Sequence, residues 1–527
     1  MGEKSIENVD LSLANKDFPE RYGRKKSISI YTLGCKVNQY ESEAVSSLLE
    51  EAGYEVVGTD EEADIYIINT CTVTGISARK SRQMIRRAKS LNENSVVVVM
   101  GCYSQTSPEE VSNIPGVNLI IGTNNRNKIV EYLDMFFKTY KTNEAYKTNG
   151  NKINKSNELD DIDDKNADKN DKNGKNDKYD KNETKLVNPV EHIEMSNRQL
   201  NIVSDIMKTR EFENLRVSSY KDRTRAYIKV QEGCTQFCSY CIIPYARGPV
   251  RSRNPEEVAE EVAELAGNNF KEIVLTGIHV ASYGKDIGNI SLLDLIYRIH
   301  EIPGIERIRL SSIEPTIFDD DFVQAIKSLK KLCPHYHISL QSGCDETLRR
   351  MNRKYTTAQY ENVVNRLRDN IEDISVTTDI MVGFPGETDE EFETTYSFLK
   401  RMNFAKMHIF KYSSRKGTPA ASFSNQVPGL IKEERSKRLI ELSKECSYEF
   451  HKRFLGRQMP ILFEKEVDSS IYRQLKTTDL NLSEKVIEGL SPNYIRVFCN
   501  GNDSNKGEIR NVVLKEAFDE IMIGAIV

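Results

Sequence analysis

Short runs of β-branched apolar residues recur between residues 27 and 138, and longer stretches with apolar positions three or four apart lie between them. The runs are "SISIYTLGC", "ADIYIINTC" and "SVVVVMGC"; the stretches include "QYESEAVSSLLEEAG" and "SARKSRQMIRRAKSLN". Strands interleaved with helices predict a parallel, doubly wound α/β sheet. The rhythm returns from about residue 223 to 455, with strand candidates "AYIKVQEG", "EIVLTGI", "RIRLSSI", "HYHISLQSG", "SVTTDIMVGF" and "KMHIFKYS". Six β/α units predict a partial (β/α)6 barrel whose working residues sit on the loops after each strand. A charged helix, "KEERSKRLIELSKECSYEFHKRFLG", leads out of it. Beyond it the pattern changes to short strands punctuated by turn residues, which predicts a small β-barrel.

Between the two α/β regions the pattern fails. Residues 141–190 hold eleven Lys, eleven Asn and eleven acidic residues. Such a segment cannot bury enough apolar surface to offset chain entropy, so a disordered insertion is expected. The predicted organisation is a polar tail (1–25), an α/β domain (26–138), an insertion and linker (139–215), a barrel (216–455) and a small β-barrel (456–527). The net charge of −5 gives no global nucleic-acid signature, so any RNA surface must be a local patch. The polar N-terminus lacks the apolar core of a signal peptide, and no apolar run is long enough to cross a bilayer. Ten cysteines in 527 residues make no disulfide scaffold, and a cytoplasmic location without membrane partners is expected.

The cysteines carry the chemistry. Cys234, Cys238 and Cys241 stand in "EGCTQFCSYCIIPYARG" with no fourth ligand at zinc-finger spacing. Three thiolates on one loop suit a [4Fe-4S] cluster with one iron open, able to chelate S-adenosylmethionine (SAM) and to cleave it to an adenosyl radical. Cys35, Cys71 and Cys102 each end a strand of the first α/β region. Parallel strands bring their C-terminal ends to one edge, so these thiols can converge on a second cluster with an open iron. Cys333, Cys446 and Cys499 read as structural, and Cys344 as polar positioning near the site.

Around the first triad, Tyr240 is placed either against the cluster and adenine or in simple packing. Thr276 and Gly277 end the second barrel strand, where backbone groups can meet the SAM amino group. Glu314 follows the third strand, Gln341 and Ser342 the fourth, and Asp379, Gly383 and Gly386 lie at and after the fifth. Their recurrence on one rim makes them candidate cofactor contacts. For RNA, Arg79, Arg82, Arg86 and Lys89 fall at steps of three and four with no acid between them, a cationic helix face suited to phosphate. Arg247, Arg251 and Arg253, and the "RRMNRK" segment with Arg350, can extend it.

Three blocks, "YTLGCKVNQYESE", "NTCTVTGISARKSRQMIRR" and "KVQEGCTQFCSYCIIPYARGPVRSR", resemble the methylthiotransferases of the radical-SAM superfamily. The wording around the first two cysteines is most similar to the branch acting on N6-threonylcarbamoyladenosine at position 37 of tRNA. The resemblance implies two [4Fe-4S] clusters, SAM, an RNA-binding TRAM barrel, a tRNA anticodon stem-loop as partner, an electron donor and a sulfur source. It also implies the reaction. A methyl cation from one SAM passes to a sulfur on the auxiliary cluster, and a radical from another abstracts hydrogen from adenine C2, a bond that no general base activates. The base would be flipped out between the clusters. One of Arg247, Arg251 or Arg350 would meet the threonyl carboxylate. Isopentenyladenosine in tRNA, a ribosomal-protein aspartate, and a non-catalytic iron–sulfur RNA-binding redox sensor stand as alternatives.

Overall fold

The structure is a computed structural model, and it describes residues 10–11, 13, 15–72, 75–139, 194–196, 199–217, 223–467 and 485–527. The first layer is a sheet of strands β1 (Ser27–Thr32), β2 (Glu55–Val57), β3 (Ile65–Thr70), β4 (Val96–Gly101), β5 (Leu119–Ile120), β6 (Glu194–Ser196) and β7 (Gln199–Asn201). Their order is β2-β1-β3-β4-β5-β7-β6, parallel except for the β6–β7 pair. Both faces are covered, which is why β3 and β4 read as unbroken apolar runs. Ile65, Ile67, Val96 and Val98 feed one core, and Tyr66, Ile68, Val97 and Val99 the other.

Two expectations change here. Residues 199–217, expected as linker, extend the first layer: β7 pairs with β5 through Leu119↔Leu200, and Leu215 packs with Tyr40 and Ala44. A three-residue strand between polar neighbours is too short for its periodicity to announce it. In the expected tail, the helix Phe18–Tyr22 buries Phe18, and Arg24 pairs with Asp64. The Lys/Asn-rich stretch 141–190 lies outside the described residues.

The central unit runs through β8 (Arg225–Glu232), β9 (Arg251–Ser252), β10 (Glu272–Gly277), β11 (Arg307–Leu310), β12 (His335–His337), β13 (Ser375–Val382) and β14 (Lys406–Lys411). Apart from β9, neighbours are parallel, β8 beside β10 and β10 beside β11, then β12 beside β13 and β13 beside β14. Isolated bridges Ile308↔Leu332 and Ile313↔Ile338 join the two halves into one open barrel. Helices such as Pro255–Gly267 and Thr357–Asn370 cover its outside, held at their starts by Asn254 and the Thr356–Gln359 capping box. Beyond the helix Gly429–Lys452, β15 (Gln458–Val467), β16 (Val486–Leu490), β17 (Arg496–Asn500), β18 (Ile509–Ala517) and β19 (Met522–Ile526) close a small barrel. It docks on the N-terminal ends of the barrel strands: Arg307 donates to Leu490 O at 3.0 Å and Pro460 O at 2.8 Å. Among the described residues no helix is long and apolar enough to cross a membrane.

Candidate functional site

The sheet order 2-1-3-4-5 places a topological switch point between β1 and β3, where open α/β sheets take their ligands. Cys35 follows β1, Cys71 follows β3 and Cys102 follows β4. Gly34, at φ +110°, allows the approach: a Cβ there would lie 2.9 Å from Cys71 Cβ and 3.1 Å from its sulfur. Cys71 and Cys102 are buried, whereas Cys35 is open. A thiolate at Cys71 would oppose ionisation of Cys35, and one at Cys35 that of Cys102, so the three lie within electrostatic range of one another.

The second triad lies on the loop after β8. Its backbone is pinned by Cys234 N–H to Gly248 O at 3.0 Å and Cys241 N–H to Cys238 O at 3.0 Å. Phe237 takes a left-handed φ of 48° between Cys234 and Cys238, the kind of strain found at functional loops. Burial pushes the Cys234 thiol up to about 11 and the Cys241 thiol up to about 12, so neither ionises near neutral pH unaided. A bound metal is what would deprotonate such thiols. Among the described residues no set of Cys, His, Asp or Glu converges to hold a single ion. The thiols of each triad lie within electrostatic range of one another, and three thiols are the donor set an iron–sulfur cluster takes.

A cavity of ≈ 250 Å³ opens beside the second triad, lined by Tyr240, Cys241, Gln341, Asp379, Phe410 and Arg415 among others. Tyr240 meets Phe384 edge-on at 6.4 Å. Gln341 is held at φ 74° and bridged to Ile380. Asp379 is fixed by His337 Nε2 at 3.1 Å. Arg415 on the cavity wall lies within electrostatic range of Cys71 of the other triad.

The remaining candidates fall elsewhere. Thr276 is buried within β10, and Gly277 packs on Gln231, where a Cβ would come 3.0 Å from the Gln231 carbonyl oxygen. Glu314 pairs with Arg353 at 2.9 Å, and Arg353 donates to Cys238 Sγ at 3.4 Å, so Glu314 braces the three-thiol loop through Arg353. Ser342 is buried against Thr395 at 3.2 Å. Arg79 and Arg86 are exposed on the helix Gly75–Leu91, while Arg82 donates to the Tyr103 hydroxyl at 3.1 Å. The sequence-based placement of Arg247 and Arg251 at an RNA surface gives way. Arg247 is enclosed by Glu41 and Glu232, and Arg251 donates to the carbonyls of Arg247 and Pro249, both at 3.0 Å. Arg350 is taken by Glu391 at 2.5 and 2.8 Å. Arg415, Phe410 and His337 were missed. The first two sit at and after the sixth strand, whose rim position was signal enough.

A parallel sheet with thiols at its switch point, facing an open parallel barrel with a three-thiol loop, is the architecture of a radical-SAM enzyme. Residues 228–399 match the Radical SAM superfamily, and residues 27–122 match the Uncharacterized protein family UPF0004. The fold is also similar to that of the radical S-adenosylmethionine methyltransferase TsrM from Kitasatospora setae, at a TM-score of 0.51 and 15% identity over 75% of this chain and 76% of that one. The threonylcarbamoyladenosine tRNA methylthiotransferase MtaB of Bacillus subtilis (strain 168) is 38% identical, over 93% of this chain and 94% of its own. The tRNA-2-methylthio-N(6)-dimethylallyladenosine synthase of Acetivibrio thermocellus (strain ATCC 27405) is 36% identical, over 84% and 81%. The chain belongs to the radical-SAM methylthiotransferase family. Its cofactors are therefore SAM and [4Fe-4S] clusters, and a non-catalytic redox sensor is set aside.

Proposed function

We propose that this protein adds a methylthio group to C2 of N6-threonylcarbamoyladenosine at position 37 of tRNA, in the anticodon stem-loop. Cys234, Cys238 and Cys241 would hold the cluster that binds SAM, and Cys35, Cys71 and Cys102 the auxiliary one. When bound, the two groups supply the electron that cleaves SAM and the sulfur that is transferred. One observation carries the reading: the cavity opens beside Cys241, and Arg247, on the short helix after Cys241, donates to Cys102 Sγ of the other triad at 3.2 Å, so a base in that cavity would lie near both triads. The substrate assignment draws on the full-length likeness to the Bacillus subtilis relative of that name.

The chain's own residues give the cavity its tasks. Tyr240 and Phe410 offer aromatic surface to a purine or adenosyl ring. Asp379, oriented by His337, offers an acceptor to a ribose hydroxyl or an amine. Arg415, on the cavity wall, is the guanidinium we assign to the threonyl carboxylate. The exposed face of Gly75–Leu91, with Arg79 and Arg86, would receive backbone phosphates. An electron donor and a sulfur source complete the reaction.

The test is mass spectrometry of tRNA nucleosides from a deletion strain with and without the gene. The expected product is 2-methylthio-N6-threonylcarbamoyladenosine. Its absence, with a methylthiolated isopentenyladenosine in its place, transfers the protein to the other tRNA branch. A methylthiolated aspartate on a ribosomal protein removes it from tRNA altogether.

A further inference from the structure

Arg247 has no exposed surface, and each of its five N–H bonds is spoken for. Nη1 donates to Glu41 Oε1 at 2.6 Å and Glu232 Oε1 at 3.0 Å. Nη2 donates to Asn38 Oδ1 at 2.6 Å and Glu41 Oε2 at 3.1 Å. The fifth, Nε–H, points at Cys102 Sγ, 3.2 Å away. Asn38 in turn donates through Nδ2 to Leu33 O at 2.7 Å and Thr70 O at 3.0 Å. Those carbonyls lie just ahead of Cys35 and Cys71. One guanidinium thus touches one thiol directly and, through one amide, braces the loops of the other two. It stands in the helix Ile243–Arg247, directly after Cys241.

We propose that Arg247 is a positioning residue of the auxiliary cluster, raising that cluster's reduction potential through its Nε–H···S bond to Cys102 and fixing the Cys35 and Cys71 loops through Asn38. This rests on the assignment of Cys35, Cys71 and Cys102 as that cluster's ligands. The physical reason is direct. Reduction adds negative charge to the cluster and its ligand sulfurs, and a donor aimed at one of those sulfurs stabilises the reduced state more than the oxidised one. Glu41 and Glu232 neutralise the guanidinium's net charge, so the directed bond carries the effect. A lysine would keep a cation beside both carboxylates, but its three-donor head cannot also span Cys102 and Asn38.

The test uses the full chain with Cys234, Cys238 and Cys241 changed to Ala, reconstituted anaerobically so that only the auxiliary cluster remains. Arg247→Lys in that background is compared with its parent by EPR-monitored redox titration and iron analysis. The expected result is a lower midpoint potential and altered g values at matched iron content. Identical potentials and g values overturn the proposal. A parent that takes up no cluster overturns the ligand assignment, and the proposal with it. Should the lysine variant fail to fold, the parent labelled with 15N-arginine decides. Pulsed EPR of its reduced cluster, with Arg415→Gln added because Arg415 lies near Cys71, should show a weak 15N coupling, and Arg353 cannot be the source because its sulfur partner Cys238 is gone. No coupling overturns the proposal.

Discussion

On the proposed assignment six sulfur atoms divide the chemistry, so substitutions at the two triads separate the two halves of the reaction. Changing Cys234, Cys238 and Cys241 to Ala should abolish SAM cleavage under dithionite, read by chromatography of the cleavage products. Changing Cys35, Cys71 and Cys102 should lower bound iron by about half while cleavage persists and methylthiolation is lost. Cleavage surviving the first set would remove the assigned role. Arg415→Gln should raise KM for threonylcarbamoyladenosine-bearing tRNA by roughly 10-fold or more, the loss of a charge-assisted pair of about 1.5–3 kcal/mol. An unchanged KM would place the carboxylate elsewhere. The places of the cysteines were legible because three sit within a few residues of one another and three at the ends of periodic strands. Arg247 was not, because its partners Glu41 and Asn38 are 206 and 209 positions away. A basic residue in a glycine-flanked loop looks solvated until the fold brings carboxylates to it.

At the scale of elements, the β1 loop and the Gly75–Leu91 helix make separate predictions. Gly34→Ala puts a Cβ against Cys71 at a left-handed φ, a double conflict. The auxiliary iron should be lost while SAM cleavage at the other triad continues, checked by iron analysis and product chromatography. Reversing Arg79 and Arg86 to Glu should weaken tRNA binding without altering SAM cleavage. The slope of log K against log salt should fall in size by about 2, roughly one for each phosphate left without its cation. An unchanged slope in a fluorescence-anisotropy titration would move the RNA surface off this helix. Long periodic elements announced themselves: the sheet, the barrel strands and the terminal β-barrel all follow from alternation. The short β7 did not, nor did the role of the sixth strand's rim, where Arg415 and Phe410 line the cavity.

Across the whole molecule, one buried set of charges joins the first layer to the barrel. Glu41 and Arg126 come from the sheet side, Glu213 from the segment after β7, and Lys229, Glu232 and Arg247 from the barrel. Three acids face three bases with almost no exposed surface, so the set is balanced only while every member is present. Removing Arg126, which touches no cysteine, should therefore cost about 3–5 kcal/mol, because Glu213 loses its ion partner in the set and three buried acids are left with two bases. Burial works against ionisation at Glu41 and Glu232, yet the neighbouring Arg126, Arg247 and Lys229 hold both carboxyls below their ordinary value. A carboxyl held low contributes stability in full above its ordinary value and loses it as pH falls through the depressed one. The gap between the wild type and Arg126→Ala should thus be flat from roughly pH 6 to 8 and narrow in acid, where protonation relieves the variant's one excess carboxylate first. Urea unfolding across that range measures it. A gap that stays constant into acid would mean that Arg126 supports the interface by packing rather than by charge, and that the two halves of the site are held together by something other than this network.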